Sequence, residues 1–191
     1  MSQGLPFDWI ISDTHWGHRN INKYSWRTTP AMPTPEAVDE LMYFNWEQLV
    51  KPDDRIIHLG DLCKWDQGER IERIAGLPGI KTILLGNHDN YPAEWYHDHG
   101  FETVVPQRTN FQFRWTDTRK PPPGCDPIEW TVLMSHYPLD MKHHKGSAVN
   151  IHGHVHNNPY REASYRHLNM SVEVTHYAPV PLDKVLAKVT Y

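Results

Sequence analysis

Three features of the sequence predict an α/β fold. Short apolar runs rich in Ile, Val and Leu recur along the chain. Each ends at a cluster of Gly, Asp, Asn, Ser or His, and segments with helical spacing separate the runs of the first half. Runs of this length bounded by such residues read as buried strands. Trp9-Ile10-Ile11 is the first, ending at Asp13-Thr14-His15. Thr34-Pro35-Glu36 starts a helix, with a hydroxyl cap, Pro at the first position and an acid in the first turn. Val38, Leu41, Met42, Trp46, Leu49 and Val50 continue it at helical spacing, and Pro52 stops it. Arg55-Ile56-Ile57 leads to Gly60-Asp61, a short helix is expected over 67–75, and Thr82-Ile83-Leu84-Leu85 leads to Gly86-Asn87-His88-Asp89.

Another short helix is expected near 92–99, then a strand over 101–105. Residues 111–134 read as a hairpin, since Phe111, Phe113 and Trp115 alternate and Ile128, Trp130 and Val132 alternate back. Pro121-Pro122-Pro123-Gly124, inside the intervening 116–127 segment, makes a stiff loop that cannot continue a sheet. Thr131-Val132-Leu133-Met134 ends at Ser135-His136, and Val149-Asn150-Ile151 at Gly153-His154-Val155-His156. No repeat or long linker divides the chain, so one domain over 1–191 is expected, large enough to bury a core.

Ligand sites in open α/β sheets lie beyond the carboxyl ends of strands, so five such ends can converge on one crevice. One strand-end His would mean little; five clusters in order point to a dinuclear metal site. Imidazole with carboxylate suits Mn, Fe, Zn, Co or Ni, whereas Ca and Mg prefer oxygen shells. On extended backbone, Asp13-x-His15 and His154-x-His156 would each direct two side chains to one side. The two oxygens of Asp61 could bridge ions ~3.5–4 Å apart, and Asn87 offers a neutral carbonyl oxygen. Two carboxylates facing two divalent ions leave a net positive site, a trap for phosphate.

With these motifs (D13-x-H15, G60-D61, G86-N87-H88-D89, H136 and G153-H154-x-H156) the chain resembles the calcineurin-like metallophosphoesterase superfamily. "ISDTHWGHRNI", "DRIIHLGDL" and "LNMSVEVTHYAPVPLDKV" resemble its small, single-domain bacterial and phage-type members. The resemblance implies a two-sheet β-sandwich flanked by helices, in four αββα layers. It implies one ion held by Asp13, His15, Asp61 and His156, and another by Asp61, Asn87, His136 and His154. It also implies that His88 faces the leaving group. A hydroxide between two ions, its pKa lowered toward neutrality, would attack phosphorus in line, and His88 would protonate the leaving oxygen as general acid.

One departure stands out. Where many relatives carry an Asp or His partner for the catalytic His, this chain has Lys64. A protonated Lys cannot accept a hydrogen bond from imidazole. Asp89 or His58 is then expected to orient His88, unless His88 works alone, and Lys64 is a candidate for substrate phosphate or a solvated surface group. His152 is expected to hydrogen-bond a ligand residue, and His18 to contact substrate. Trp16 and Trp65 could line the pocket mouth, and the Trp residues on strands read as core. His143-His144-Lys145 read as a solvated loop, and His97, His99, His167 and His176 as structural or exposed.

Composition narrows the partners. A net charge of −4 with only small basic clusters, such as Arg70/Arg73 and Arg119-Lys120, argues against gripping long nucleic acid, which takes basic stripes. A small phosphorylated substrate is expected instead. No run approaches the ~20 apolar residues of a membrane span, no signal-peptide pattern opens the chain, and Cys63 and Cys125 lack C-x-x-C spacing. A reduced cytoplasmic protein is the expectation. The favoured activity is a phosphodiesterase on small substrates such as cyclic nucleotides, 2′,3′-cyclic ahead of others, with two transition-metal ions, Mn first. The alternatives are a nuclease, or a phosphomonoesterase (including a protein phosphatase), on the same core. A non-catalytic scaffold ranks last, because every ligand type is present.

Overall fold

The computed structural model describes residues 4–64, 68–119 and 126–189. Among these residues nine strands form two sheets. The first has the order β4-β3-β2-β1-β9, from β1 (Trp9–Ile11), β2 (Arg55–His58), β3 (Ile80–Leu84), β4 (Phe101–Val105) and β9 (Val180–Pro181). The second has the order β5-β6-β7-β8, from β5 (Phe111–Thr116), β6 (Glu129–Ser135), β7 (Ala148–His152) and β8 (His167–Asn169).

Strands β1 to β4 are parallel and adjacent in chain order, while β9 runs antiparallel to β1. Successive right-handed crossovers in one direction put every crossover helix on the same face of a sheet. Helices α1 (Pro35–Leu49), α2 (Gly68–Ala75) and α3 (Ala93–Asp98) are those crossovers. Ile11, Ile56 and Ile83 pack beneath Val38, Met42, Trp46, Ile74 and Tyr96. The opposite pleat, carrying Ile10, Ile57 and Leu59, meets Trp130, Val132, Met134, Val149 and Ile151 of the second sheet. The chain is thus an α/β sandwich of two sheets flanked by helices. The layer outside the second sheet is thin, with Met141 of a 3₁₀ turn (Met141–His143) packed on Leu133 and Ala148. Helix α4 (Leu182–Leu186) instead sends Leu182, Val185 and Leu186 into the inter-sheet core.

Helix α1 begins as its sequence dictates. Thr34 Oγ1 accepts the Ala37 amide at 3.2 Å, with Pro35 at the first position. The hairpin register is also as expected, pairing Phe113 with Val132 and Trp115 with Trp130. Pro121–Gly124, Cys125, Trp65 and the proposed helix start at 67 lie outside the described residues. Trp16 does not line a pocket mouth. It is fully buried, stacked on Tyr43 with ring centroids 4.9 Å apart, because the chain after His15 runs beside Leu62 and Cys63 and turns its indole into the helix-facing core. Cys63 is a free, buried thiol that burial pushes up to about 12. Among the described residues, no helix is long and apolar enough to cross a membrane.

The register aligns the strand ends. Ile11 lies beside His58, and His58 beside Ile83. In the second sheet Ser135 lies beside His152, and His152 beside Asn169. A bridge between Ser12 and Ser171 ties the two carboxyl edges together.

Candidate metal centre

Two ligand groups occupy that shared edge. Asp13, His15 and His156 form one, and Asp61, His136 and His154 the other, with the ligand atoms of each group within 4.8 Å of one another. Either group could hold a metal ion. Asp61 lies between them, its Oδ2 3.3 Å from His15 Nε2 and 3.5 Å from His136 Nε2. Asn87 joins the second group, with Oδ1 3.0 Å from His136 Nε2.

The backbone route differs from the sequence expectation. Asp13 and His15 are not extended residues sharing a strand face, and neither are His154 and His156. Their φ values are 58°, 45°, 71° and 51°, and Asp61 has 57°. All five occupy the left-handed region, which is uncommon for non-glycine residues and clusters at functional sites. The strands end before these residues, and each loop must turn back across the sheet edge to bring its ligand inward. Two glycines make room. A Cβ on Gly86 would lie 2.3 Å from Asp61 Oδ1, and one on Gly153 would lie 2.3 Å from Asp13 Oδ2.

Hydrogen bonds fix which ring nitrogen faces the centre. His136 Nδ1–H donates to the Leu59 carbonyl at 2.8 Å, leaving Nε2 to face Asn87 and Asp61. All of these are acceptors, so the metal-free ring carries both protons. Burial would lower its pKa, but the Asp61 hydrogen bond and the Asp13 and Asp61 charges outweigh burial and raise it to about 9. Asp61 responds in the opposite sense. Burial would raise its carboxyl, yet His136 and His15 hold it well below the usual range. Burial drives the His15 imidazole down, so His136 supplies the positive charge. His15 Nε2 is buried 3.3 Å from Asp61 Oδ2 and forms no well-aligned hydrogen bond among the described residues, a costly state for a polar atom. An orphaned imidazole nitrogen beside a carboxylate, and an imidazolium among three oxygens, both suit a cation there; the residues fit divalent metal ions.

Several supporting residues escaped the sequence reading. Glu173 Oε1 accepts His156 Nδ1–H at 2.8 Å and Arg27 Nε–H at 2.7 Å, and the side chains of Glu173 and Arg27 are each 1% exposed. Burial would raise the Glu173 carboxyl, but the His156 hydrogen bond and the Arg27 charge bring it down to about 2. The Arg27 guanidinium also donates to the carbonyls of Asp13 and Thr14, the latter at 2.6 Å. Ser171 Oγ–H donates to Asp13 Oδ2 at 2.9 Å, and the His154 amide to both Asp13 oxygens at 3.0 Å. Carboxylate–imidazole pairs of the Glu173–His156 kind commonly orient metal-binding histidines.

Neither expected partner reaches His88. Asp89 accepts three amides, from Asp61 at 2.6 Å, Gly86 at 2.8 Å and Leu62 at 2.9 Å, which leaves its carboxylate turned into the loops. Burial and the Asp61 charge push Asp89 up to about 6 against those amides. His58 lies 2.9 Å from Thr14 Oγ1, and its Nδ1 accepts the Gly60 amide at 3.0 Å. Among the described residues the His88 ring makes no hydrogen bond; its amide donates to Asp61 Oδ1 at 2.8 Å. His88 is exposed, with its ring 5.3 Å from that of His15. His152 bonds the Gly153 carbonyl at 2.9 Å, just before His154. His18 and Lys64 line a cavity of about 510 Å³ over the centre, together with His15, Asp61, Asn87 and His88.

No protein-family model matches the chain. An uncharacterized protein of Methanocaldococcus jannaschii is 27% identical over 185 residues, covering 93% of this chain and 88% of that one. The Gene 66 protein of Mycobacterium phage D29 is 25% identical over 202 residues, covering 93% and 92%. Among solved structures, a protein of unknown function from Aquifex aeolicus superposes with a TM-score of 0.64 at 23% identity, covering 94% of this chain and 97% of that one. The chain is similar to all three, and the Aquifex likeness is one of fold.

Proposed function

We propose that the chain is a dinuclear metal-dependent phosphoesterase, most active as a phosphodiesterase on small substrates such as 2′,3′-cyclic nucleotides. The observation that carries this reading is the placement of Asp61 Oδ2 between His15 and His136, which belong to separate ligand groups. A carboxylate so placed, flanked by imidazoles, suits a bridge between two transition-metal ions, with Mn the first candidate and Fe, Ni, Co and Zn the others. Asp13, His15, Asp61 and His156 would hold one ion, and Asp61, Asn87, His136 and His154 the other. Such ions supply Lewis acidity, which lowers the pKa of water and neutralises phosphate oxygens.

The chain's own residues do the remainder. The Leu59 carbonyl and Glu173 fix the tautomers of His136 and His156. His88, exposed at the cavity and held through its amide on Asp61, would give a proton to a departing oxygen. Lys64 and His18, in the cavity wall, are the candidates for substrate contact. The test is metal analysis with hydrolysis of bis(p-nitrophenyl) phosphate and p-nitrophenyl phosphate. We expect two Mn ions per chain, loss of activity on chelation, and a higher kcat/KM on the diester. Less than about one ion per folded chain would refute the metal centre. A monoester preference would refute the diesterase ranking alone.

A further inference from the structure

The loop after β3 and helix α3 enclose a small pocket, of about 150 Å³, next to the cavity over the metal centre. Among the described residues its walls are mostly aromatic: Tyr91 from the loop and Trp95 and Tyr96 from the helix, with the Cys63 thiol beside them. Pro92 caps the helix, so Tyr91 stands just before it and stacks on Trp95, with ring centroids 4.1 Å apart and planes 13° from parallel. Trp95 also packs on His99 at 4.4 Å and edge-on against the buried Tyr96 at 5.0 Å. Each ring is braced by another, so the wall is formed before any ligand arrives. Asp89 borders the pocket too, but its carboxylate is turned to the three backbone amides already described.

Tyr91 is 36% exposed, so this aromatic concavity meets solvent. Water inside it finds few partners, and a flat apolar ring that displaces the water gains. Binding pockets are commonly lined in this way, with a few polar groups to orient the ligand. An apolar cavity of roughly 150 Å³ takes one six-membered ring. Position then decides which ring. His88 lines both this pocket and the cavity over the ligand groups, so the two adjoin at His88. On the phosphoesterase reading His88 faces the leaving oxygen, and in a 2′,3′-cyclic nucleotide that oxygen belongs to the ribose that carries the base. We propose that the pocket is the base subsite and that it selects a pyrimidine. A purine would leave its second ring outside. Asn90, exposed at the rim, brings an amide suited to the polar edge of the base. This rests on the phosphoesterase reading for the ester, though not for the ring site.

The test has two arms. In the first, kcat/KM of the Mn-loaded protein is compared for 2′,3′-cyclic CMP and 2′,3′-cyclic AMP. The expected preference for the pyrimidine is roughly tenfold or more, the scale of selection by size in an apolar pocket. It should fall toward parity in Tyr91→Ala, whose metal content should match the wild type. In the second arm, cytidine, adenosine and phenol are titrated into the protein in chelator, where no turnover occurs. The readout is the NMR signal of the Trp95 indole N–H, assigned by its loss in Trp95→Phe. Cytidine should shift that signal at lower concentration than adenosine, and its binding should weaken roughly tenfold in Tyr91→Ala, the scale of one base–aromatic stack. If neither cyclic compound is hydrolysed but cytidine binding behaves so, the phosphoesterase reading falls and the base subsite stands. Equal kcat/KM for the two compounds, or a purine preference, overturns the proposal. So does a Trp95 signal that moves with phenol and is indifferent to cytidine, which would assign the pocket to some other aromatic group.

Discussion

Replacing Glu173 by Gln removes one negative charge from a buried chain of Arg27, Glu173 and His156 while preserving shape. Its magnitude can be reached by two routes. A carboxyl brought down from 4.5 to about 2 represents about 3 kcal/mol of folding stability at neutral pH. Removing one partner of a buried ion pair costs about 3–5 kcal/mol, because the other charge is left uncompensated, here Arg27 at 1% exposure. The agreement sets the expected loss near 3 kcal/mol.

The pH dependence has a definite sign. A depressed carboxyl contributes fully above its ordinary pKa, so the gap between wild type and Glu173→Gln is complete above about pH 5. It closes as pH falls toward 2, and near pH 3 less than roughly half should remain. Urea unfolding followed by tryptophan fluorescence, in chelator at pH 7 and pH 3, measures both. Metal affinity should drop by roughly 10–100-fold, since the neutral Gln carbonyl accepts the His156 Nδ1–H more weakly than a carboxylate and leaves the ring less basic. A stability loss below about 1 kcal/mol at pH 7, or a gap that does not narrow in acid, would show that Glu173 is not an ionised partner in the fold.

Because the His136 pKa is raised to about 9, the stability it contributes to the metal-free protein is complete below 6.5 and lost as pH rises through 9. Metal loading at pH 7.5 should therefore release roughly one proton or more, read by calorimetry in buffers of different ionisation enthalpy; zero release would contradict the imidazolium assignment. Gly86→Ala places a Cβ 2.3 Å from Asp61 Oδ1 and 2.8 Å from His136 Cε1, so metal content should collapse, and full loading of that variant would refute the close-approach argument. His88→Ala should keep its metal and lose little rate on a p-nitrophenolate leaving group, but roughly 10²–10⁴-fold on a ribose oxygen. A uniform loss across leaving groups would mean that His88 positions phosphate.

The strand ends were legible in sequence because an apolar run followed by Gly, Asp or His is a local signal. Ile11, Ile57 and Ile151 each close a run that the structure makes a strand. The ligand residues stand immediately after them, so their convergence followed from parallel topology. The supporting residues were not legible. Glu173 lies 146 residues from Arg27 and 17 from His156, and Ser171 lies 158 from Asp13. No periodicity links positions so far apart, and a lone Glu among small residues looks like any exposed acid. Asp89 misled for a different reason. Adjacency to His88 suggested a hydrogen bond between them, but three amides converge on its carboxylate instead.

The left-handed backbone of the five ligand residues connects these observations. Each such residue costs on the order of 1–3 kcal/mol unless its surroundings hold it. At Asp61, Asp89 does the holding, accepting the amides of Asp61 and Leu62 on one loop and Gly86 on the next. At Asp13 the Arg27 guanidinium does so, capping the carbonyls of Asp13 and Thr14 while paired with Glu173. Both devices bury a charge, which is unfavourable in itself; Asp89 is pushed up to about 6 by that burial. A fold selected for stability alone would gain by relaxing these turns and removing both charges. Their presence is best understood as preorganisation, in which ligand atoms are held in place before a cation arrives, so that binding does not have to order the loops. The same logic explains why Asp89 serves the backbone and leaves the His88 ring without a hydrogen bond among the described residues. In the proposed reaction a residue that follows a leaving oxygen would gain from freedom at the cavity, whereas the carboxylate between the two ligand groups would gain from none.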